Sequence, residues 1–300
     1  MPATSCGSAA LLASGTQYCG TNCEAAGRMT HSPSTIHELL ASHGLTPSRA
    51  LGQNFVADAN TVRRIVRLAG VGEGDHVVEV GAGLGSLTLA LRESGADVTA
   101  IEIDRQLAPI LREVVEPAGA VVVEADAMEL DWPALLAPHP SWVLVANLPY
   151  NIATPLVLDL LADVPSIERM LVMVQLEVGD RLAAGPGTKA YGIPSVRRAW
   201  WADASVMGKV SPTVFVPQPR VDSALVELRR HPPAGDDALR RAVFTLVEAG
   251  FGQRRKMLRR SLADHATVDD LTAAGVRPEA RAEELELRDW IRLAQHLDVT

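Results

Sequence analysis

Asn147, Leu148, Pro149 and Tyr150 stand together after the apolar run Trp142–Ala146. These four residue types suit one chemical problem. The exocyclic amine of adenine is a poor nucleophile because its lone pair is delocalised into the ring. The Asn147 side-chain oxygen and the Leu148 backbone carbonyl can both accept its hydrogens, which localises the lone pair and aims it at an electrophile. Pro149 removes a competing N–H and stiffens the turn. Tyr150 offers a face on which the base stacks. Such a site acts by positioning and electrostatics, without a covalent intermediate. Methylation at cytosine C5 needs a Cys nucleophile instead, and no Cys follows Cys23. Taken alone, the tetrapeptide also fits an ordinary strand-to-turn connection.

A second group of residues precedes it. Glu79-Val80-Gly81-Ala82-Gly83-Leu84-Gly85 ends an apolar run, His76–Val80, and a turn so poor in side chains lets a ligand approach the backbone. Any Rossmann-like nucleotide site has such a turn. Glu102 follows the glycines by about 20 residues, at the end of a second apolar run, where a carboxylate can accept both ribose hydroxyls of an adenosine. Asp126 ends a third run and can accept the exocyclic amine of a cofactor adenine; it is equally able to cap the next helix. A glycine turn followed by two strand-end acids is more typical of S-adenosylmethionine enzymes than of dehydrogenases. The electrophile implied is therefore the methyl group of S-adenosyl-L-methionine. Adenine inside a duplex is out of reach, so the target must be looped out or flipped.

The elements that must position these residues are legible from periodicity. Apolar runs at His76–Val80, Val98–Ile103, Ala120–Val123, Trp142–Ala146 and Met170–Val174 alternate with helical stretches such as Ser86–Ser94 and Gln106–Val115. Alternation of this kind predicts an α/β fold, a Rossmann-like parallel sheet with helices on both faces. Ala199–Met207 and Ala224–Leu228 are further strand candidates. Asp58 is a good N-cap for a helix with Val62, Ile65, Val66 and Ala69 on its apolar face, ended by Gly70. Arg63, Arg64 and Arg67 fall on the other face, which reads as solvated or as a phosphate contact. A short helix is expected from Ile36, ending at Gly44. The break His231-Pro232-Pro233-Ala234-Gly235 separates a methyltransferase domain, 33–231, from a small C-terminal helical domain, 236–300. Residues 1–32 are rich in Ala, Ser, Gly and Thr and read as a disordered tail, with Met29 an alternative start.

The 300 residues carry a formal charge of −8 and are 47% hydrophobic. A nucleic-acid partner must meet a local basic patch. No run of about 18 apolar residues predicts a membrane span, and the N-terminus does not read as a signal peptide. Cys6, Cys19 and Cys23 all lie in the first 23 residues, so no disulfide framework holds the core and a cytoplasmic location is expected. Cys19, Cys23 and His31 have poor spacing for zinc, and no metal is expected.

Several separate motifs between about Ala50 and Leu262 resemble those of the bacterial ribosomal RNA small-subunit adenine dimethyltransferases. Leu51-Gly52-Gln53-Asn54-Phe55 resembles the family's opening signature, in which Asn54 and the backbone of Val56 would touch the cofactor. Val78–Gly83 matches its glycine turn, with Ala82 where Pro is commoner. Glu102, Asp126 and Asn147 match its ribose, adenine and catalytic positions. Val174-Gln175-Leu176-Glu177 and Tyr191-Gly192 resemble the segment after the fifth strand, with Leu176 where Lys is commoner. Val214–Ser223 is the most diagnostic late motif. By resemblance its Phe215 would stack on the target base opposite Tyr150; its plainer reading is a core aromatic.

Phe251–Arg260 resembles the C-terminal motif and holds five basic residues and no acid: Arg254, Arg255, Lys256, Arg259 and Arg260. Val247, Phe251, Leu258 and Leu262 are expected on one helix face toward a core, leaving Arg255 and Arg259 for rRNA backbone contacts. The resemblance implies N6,N6-dimethylation of two adjacent adenosines in the 3′-terminal hairpin loop of 16S rRNA, within an immature 30S subunit, by a monomer without an obligate protein partner. A macrolide-resistance methyltransferase of large-subunit rRNA shares the cofactor motifs; the late motifs disfavour it. A DNA adenine methyltransferase lacks support because no target-recognition domain is evident. A non-catalytic ribosome-assembly factor would not need the intact Asn147–Tyr150 and Glu102.

Overall fold

The computed structural model describes residues 30–47 and 52–299. In chain order its elements are α1 (Pro33–Ser42), β1 (Phe55–Val56), α2 (Ala59–Ala69), β2 (His76–Val80), α3 (Ser86–Glu93), β3 (Asp97–Glu102), α4 (Leu107–Val115), β4 (Val121–Glu124), α5 (Trp132–Leu136), β5 (Trp142–Asn147), α6 (Ala153–Asp163) and β6 (Ile167–Gln175). Then come α7 (Leu176–Ala183), α8 (Ile193–Ala199), β7 (Ala202–Val210), β8 (Phe215–Val216), β9 (Ser223–Arg230), α9 (Asp237–Gly252), α10 (Leu258–Ser261), α11 (Val268–Ala273) and α12 (Leu287–Val299).

Seven strands form one sheet in the order β4-β3-β2-β5-β6-β9-β7. The first five are parallel, and β9 runs antiparallel to both β6 and β7. The strand order reverses between β2 and β5. Ligands in open α/β sheets bind in the crevice outside that point. A separate two-stranded ribbon pairs Phe55 with Val216 and Val56 with Phe215.

Alternation along the strands explains why both faces are covered. Val78, Val80, Leu144, Ala146, Val172 and Val226 point into one apolar cluster. Val77, Val143, Val145, Leu171 and Met173 point into the other, against Val62 and Ile65 of α2 and Leu87 and Leu91 of α3. Near-continuous Val, Ile and Leu runs are what a strand buried on both faces requires. The caps behave as their residue types dictate. Asp58 accepts the Thr61 N–H, and Gly70 closes α2 in the left-handed region at φ 58°. Asp236 accepts the Leu239 N–H at 2.9 Å and starts α9.

Four expectations need correction or refinement. The tail expected through residue 32 lies outside the described residues only as far as 29. Thr30, His31 and Ser32 belong to the fold: His31 is buried and Ser32 caps α1. The strand expected at Ala199–Met207 starts later, at Ala202, because Trp200 and Trp201 are buried edge-on against Phe244 at 5.8 and 5.7 Å.

The single face expected from Val247 to Leu262 belongs to two helices, α9 and α10. Between them the chain leaves the helix, and the Leu258 and Arg259 N–H groups donate to the Ala280 and Pro278 carbonyls. Arg64 is half-buried and held by backbone carbonyls. It donates to the Lys209 and Met207 carbonyls at 3.1 and 3.3 Å, across the irregularity in β7 at Gly208.

The helices after Asp236 bury Val243, Phe244, Val247 and Trp290 in the same cluster as the sheet residues Val226 and Leu228. Among the described residues no helix is long and apolar enough to cross a membrane.

Candidate active site

The carboxyl ends of β2, β3 and β5 meet the loop carrying β1 around a cavity of about 210 Å³. Asn54, Val56, Gly81, Gly83, Glu102, Asp126 and the whole of Asn147–Tyr150 line it, so residues far apart in sequence converge as the motifs require. Leu51 and Ala50, at the start of the opening signature, lie outside the described residues.

Two glycines make the cavity possible. Gly81 has φ +73°, and a Cβ on it would stand 3.2 Å from Pro149 Cδ. Gly83 has φ +60°, and a Cβ there would touch the Phe55 ring at 3.0 Å. Both conformations favour a residue without a side chain. The glycine turn thus lets β5's loop and β1's ring close on the end of β2.

The backbone of that turn decides what it can hold. Gly81 and Ala82 N–H groups donate to the Ile101 carbonyl and Gly85 N–H to the Ala82 carbonyl. Gly83 N–H donates to Glu102 Oε2 at 2.7 Å. A pyrophosphate site at a glycine turn presents free N–H groups to the anion; here these four are engaged within the protein. No Lys or Arg lines the cavity among the described residues, whereas Glu79, Glu102 and Asp126 do. The acceptor set suits a ligand with hydroxyls and an amine, and does not suit the anionic pyrophosphate of a nicotinamide dinucleotide.

Glu102 is buried, and burial pushes its carboxyl above the usual carboxylate range, opposed by hydrogen bonds from the Asp104 and Gly83 N–H groups. Each oxygen accepts one backbone N–H, from Gly83 and from Asp104. A carboxylate has about four acceptor positions, so Glu102 can still accept from the hydroxyls of a ligand. Asp126 Oδ1 accepts the Met128 N–H at 2.8 Å. It therefore serves the turn with one oxygen, and the other can accept a hydrogen bond from a ligand.

Asn147 is oriented by its neighbour. Its Nδ2 donates to the Asn54 carbonyl at 3.1 Å. A carbonyl oxygen only accepts, so the amide nitrogen must face Asn54 and Oδ1 faces away as an acceptor. Asn54 is held in turn by its own Nδ2 donating to the Gly52 carbonyl. Leu148 N–H bonds to the Met173 carbonyl of β6, which fixes the loop's height above the sheet. The Tyr150 hydroxyl and Ser223 Oγ lie 2.8 Å apart.

Phe215 departs from the expected stacking role. It is 3% exposed, belongs to the apolar core with Val56 and Val62, and is not among the residues lining the cavity. Pairing of β8 with β1 turns its side chain inward. The plainer reading, a core aromatic, describes its place.

The basic motif is also divided. Arg254 donates to Glu283 Oε2 at 2.7 Å and to the Lys189 carbonyl at 2.9 Å, so it ties the loop to the fold. Arg259 lies 3.7 Å from Glu279. Arg255, Lys256 and Arg260 are exposed. Among the described residues no cluster of three metal-ligand types occurs; Cys6, Cys19 and Cys23 lie outside them.

Three further lining groups carry little signal in the sequence. Glu79 is fully buried and accepts from Thr88 Oγ1 at 2.6 Å. Its place in the glycine motif was visible, but its burial was not. Gln53 Nε2 donates to Asp104 Oδ2 at 2.6 Å and fastens the opening segment to the end of β3. Ile103 is 46% exposed and lines the cavity with an apolar side chain; an apolar residue between two acids at a strand end was its only signal.

Residues 45–298 match the Ribosomal RNA adenine dimethylase family. The chain is 52% identical over 274 residues to the ribosomal RNA small subunit methyltransferase A of Leifsonia xyli subsp. xyli, spanning 87% of this chain and 96% of that protein. It is 50% identical over 276 residues to the protein of the same name from Streptomyces coelicolor, spanning 88% and 96%. Among solved structures it is similar to the 23S rRNA methyltransferase ErmE, at TM-score 0.65 and 29% identity over 82% of this chain and 100% of that one. A dimethyladenosine transferase from Plasmodium falciparum shares the fold, at TM-score 0.64 and 22% identity over 79% and 94%. The chain belongs to the ribosomal RNA adenine dimethylase family: it is an S-adenosylmethionine-dependent methyltransferase that dimethylates adenine in ribosomal RNA.

Proposed function

We propose that the substrate is the pair of adjacent adenosines in the 3′-terminal hairpin loop of 16S rRNA, presented by an immature 30S subunit, and that the enzyme works as a cytoplasmic monomer. Relatives at 50–52% identity over most of the chain carry the small-subunit name, and this supports that target over the large subunit.

The geometry of the site supports the following residue roles. S-adenosylmethionine, when bound, supplies an electrophilic methyl group on a sulfonium. Glu102 holds the ribose hydroxyls with the acceptor positions its backbone bonds leave open, and Asp126 holds the adenine amine with its second oxygen. Asn54, Val56, Gly81 and Gly83 form the wall against which the ligand lies. Asn147 Oδ1 and the Leu148 carbonyl accept the two hydrogens of the target amine, so its lone pair turns out of conjugation. Tyr150 stacks on the base while Ser223 holds its hydroxyl. Pro149 packs on Gly81 and sets the loop that carries these acceptors. The exposed cations Arg255, Lys256 and Arg260, with Arg259, meet the rRNA backbone from the C-terminal helical segment, 236–300. Arg254 anchors that loop.

The observation that carries the reading is the Asn147–Asn54 hydrogen bond, because it commits Oδ1 to accepting. Asn147→Ala should bind S-adenosylhomocysteine within about threefold of wild type. Its single-turnover transfer should fall by roughly 10²–10³, the scale of removing one preorganised polar contact. Near-normal transfer would refute the role.

A further inference from the structure

Ahead of α1 the chain is fastened twice to the turn that opens α3. The His31 N–H donates to Ser86 Oγ at 3.1 Å, and His31 Nε2 lies 2.7 Å from the Leu84 carbonyl oxygen. Because a carbonyl only accepts, Nε2 carries the hydrogen. The ring is buried, and burial lowers its pKa, which keeps it neutral. Leu84 and Ser86 both line the cofactor cavity. Ser86 Oγ accepts from His31, which leaves its hydroxyl hydrogen for an acceptor in the cavity.

The fastening continues into α1. Ile36 and Leu40 are buried against Phe55, Leu84, Leu107 and Ile110. Phe55 is the ring that closes on Gly83. One continuous segment thus backs both the glycine turn and the β1 strap. His31 precedes the residues that match the family, 45–298.

We propose that His31 is a positioning residue for the cofactor site: by holding the Leu84 carbonyl and the Ser86 hydroxyl, it keeps the Gly83–Ser86 edge of the cavity in its binding shape. Docking of His31–Ser42 and cofactor occupancy are then linked, and each strengthens the other by the same factor. The inference rests on this cavity being the S-adenosylmethionine site.

The test is calorimetric binding of S-adenosylhomocysteine to the full chain, comparing wild type with His31→Ala, His31→Gln and Glu102→Ala. His31→Ala should bind roughly five- to tenfold more weakly, the size of one lost hydrogen bond. His31→Gln, whose amide N–H can reach the same carbonyl, should recover most of that loss. The KM for the RNA substrate should stay within about twofold of wild type, which a general loss of structure would not leave in place. In the wild-type chain, amide hydrogen exchange over Pro33–Ser42 should slow when S-adenosylhomocysteine is added; this measurement needs no variant and decides the matter if His31→Ala fails to fold.

Unchanged affinity in His31→Ala, an equal loss in His31→Gln, or exchange over Pro33–Ser42 indifferent to the ligand would each overturn the proposal. Loss in Glu102→Ala with none in His31→Ala removes the His31 role alone. Unchanged binding in both removes the cofactor site with it.

Discussion

At the scale of single residues, the site works by removing freedom from polar groups. Asn147 has two possible amide orientations, and the Asn54 carbonyl selects one. Glu102 has two oxygens, and one backbone N–H on each turns it into a rigid pair of acceptors. Glu79 carries the strongest electrostatic consequence. Burial pushes its carboxyl up to about 8, against the Thr88 hydrogen bond and with a smaller contribution from Glu102. The folded state therefore keeps a proton that the unfolded chain has released above its ordinary value of 4.5. The stability linked to that proton is fully present below the unfolded value and is lost as pH rises through about 8. Melting of wild type should weaken from pH 5 to pH 9 by on the order of a few kcal/mol more than melting of Glu79→Gln, which has no proton to lose. Parallel pH profiles of the two would contradict this.

At the scale of elements, catalysis depends on the gap between β2 and β5. Gly81 and Pro149 face each other across it, and the third glycine, Gly85, packs on Val115 of α4 instead. Gly81→Ala should cost about 1–2 kcal/mol from the left-handed backbone alone. Its methyl would also push Pro149, so kcat should fall about tenfold or more through misplacement of the acceptors. Chemical denaturation together with steady-state kinetics checks both; a variant with wild-type kcat would show that the loop's height is unimportant.

The same scale explains what was legible in the sequence. The strands of the parallel sheet and the caps Asp58 and Gly70 were readable because periodicity and capping are local. The start of β7, the break between α9 and α10, and the anchoring of Arg64 were not. Each is decided by a distant partner: Phe244 for Trp200 and Trp201, the 278–280 backbone for Leu258 and Arg259, and the β7 carbonyls for Arg64. Within the site, the converging acids and Asn147 were legible from spacing. Phe215 was readable both as a core aromatic and as a stacking ring, and burial decides for the first. The docking of His31 and the capture of Arg254 by Glu283 were not readable, because each depends on a partner far away in the chain.

At the scale of the whole molecule, a chain of net charge −8 must present RNA with a positive surface. Arg254 is already paired, so the free charge of the loop lies on its exposed neighbours. Arg255→Glu with Lys256→Glu should weaken binding to small subunits and lower the slope of log affinity against log salt by roughly one to two, at about 0.7–0.9 per phosphate contact. An unchanged slope would move the RNA interface elsewhere. If this site dimethylates adenine at one place in small-subunit RNA, mapping of the methylated products will show it. The protein is incubated with undermethylated small subunits, large subunits or duplex DNA and with methyl-labelled cofactor, and the products are digested and mapped. Label is expected at N6 of two adjacent adenosines near the 3′ end of 16S rRNA, with two methyl groups on each. Label confined to large-subunit RNA or DNA, or methylation at any atom other than adenine N6, would contradict it.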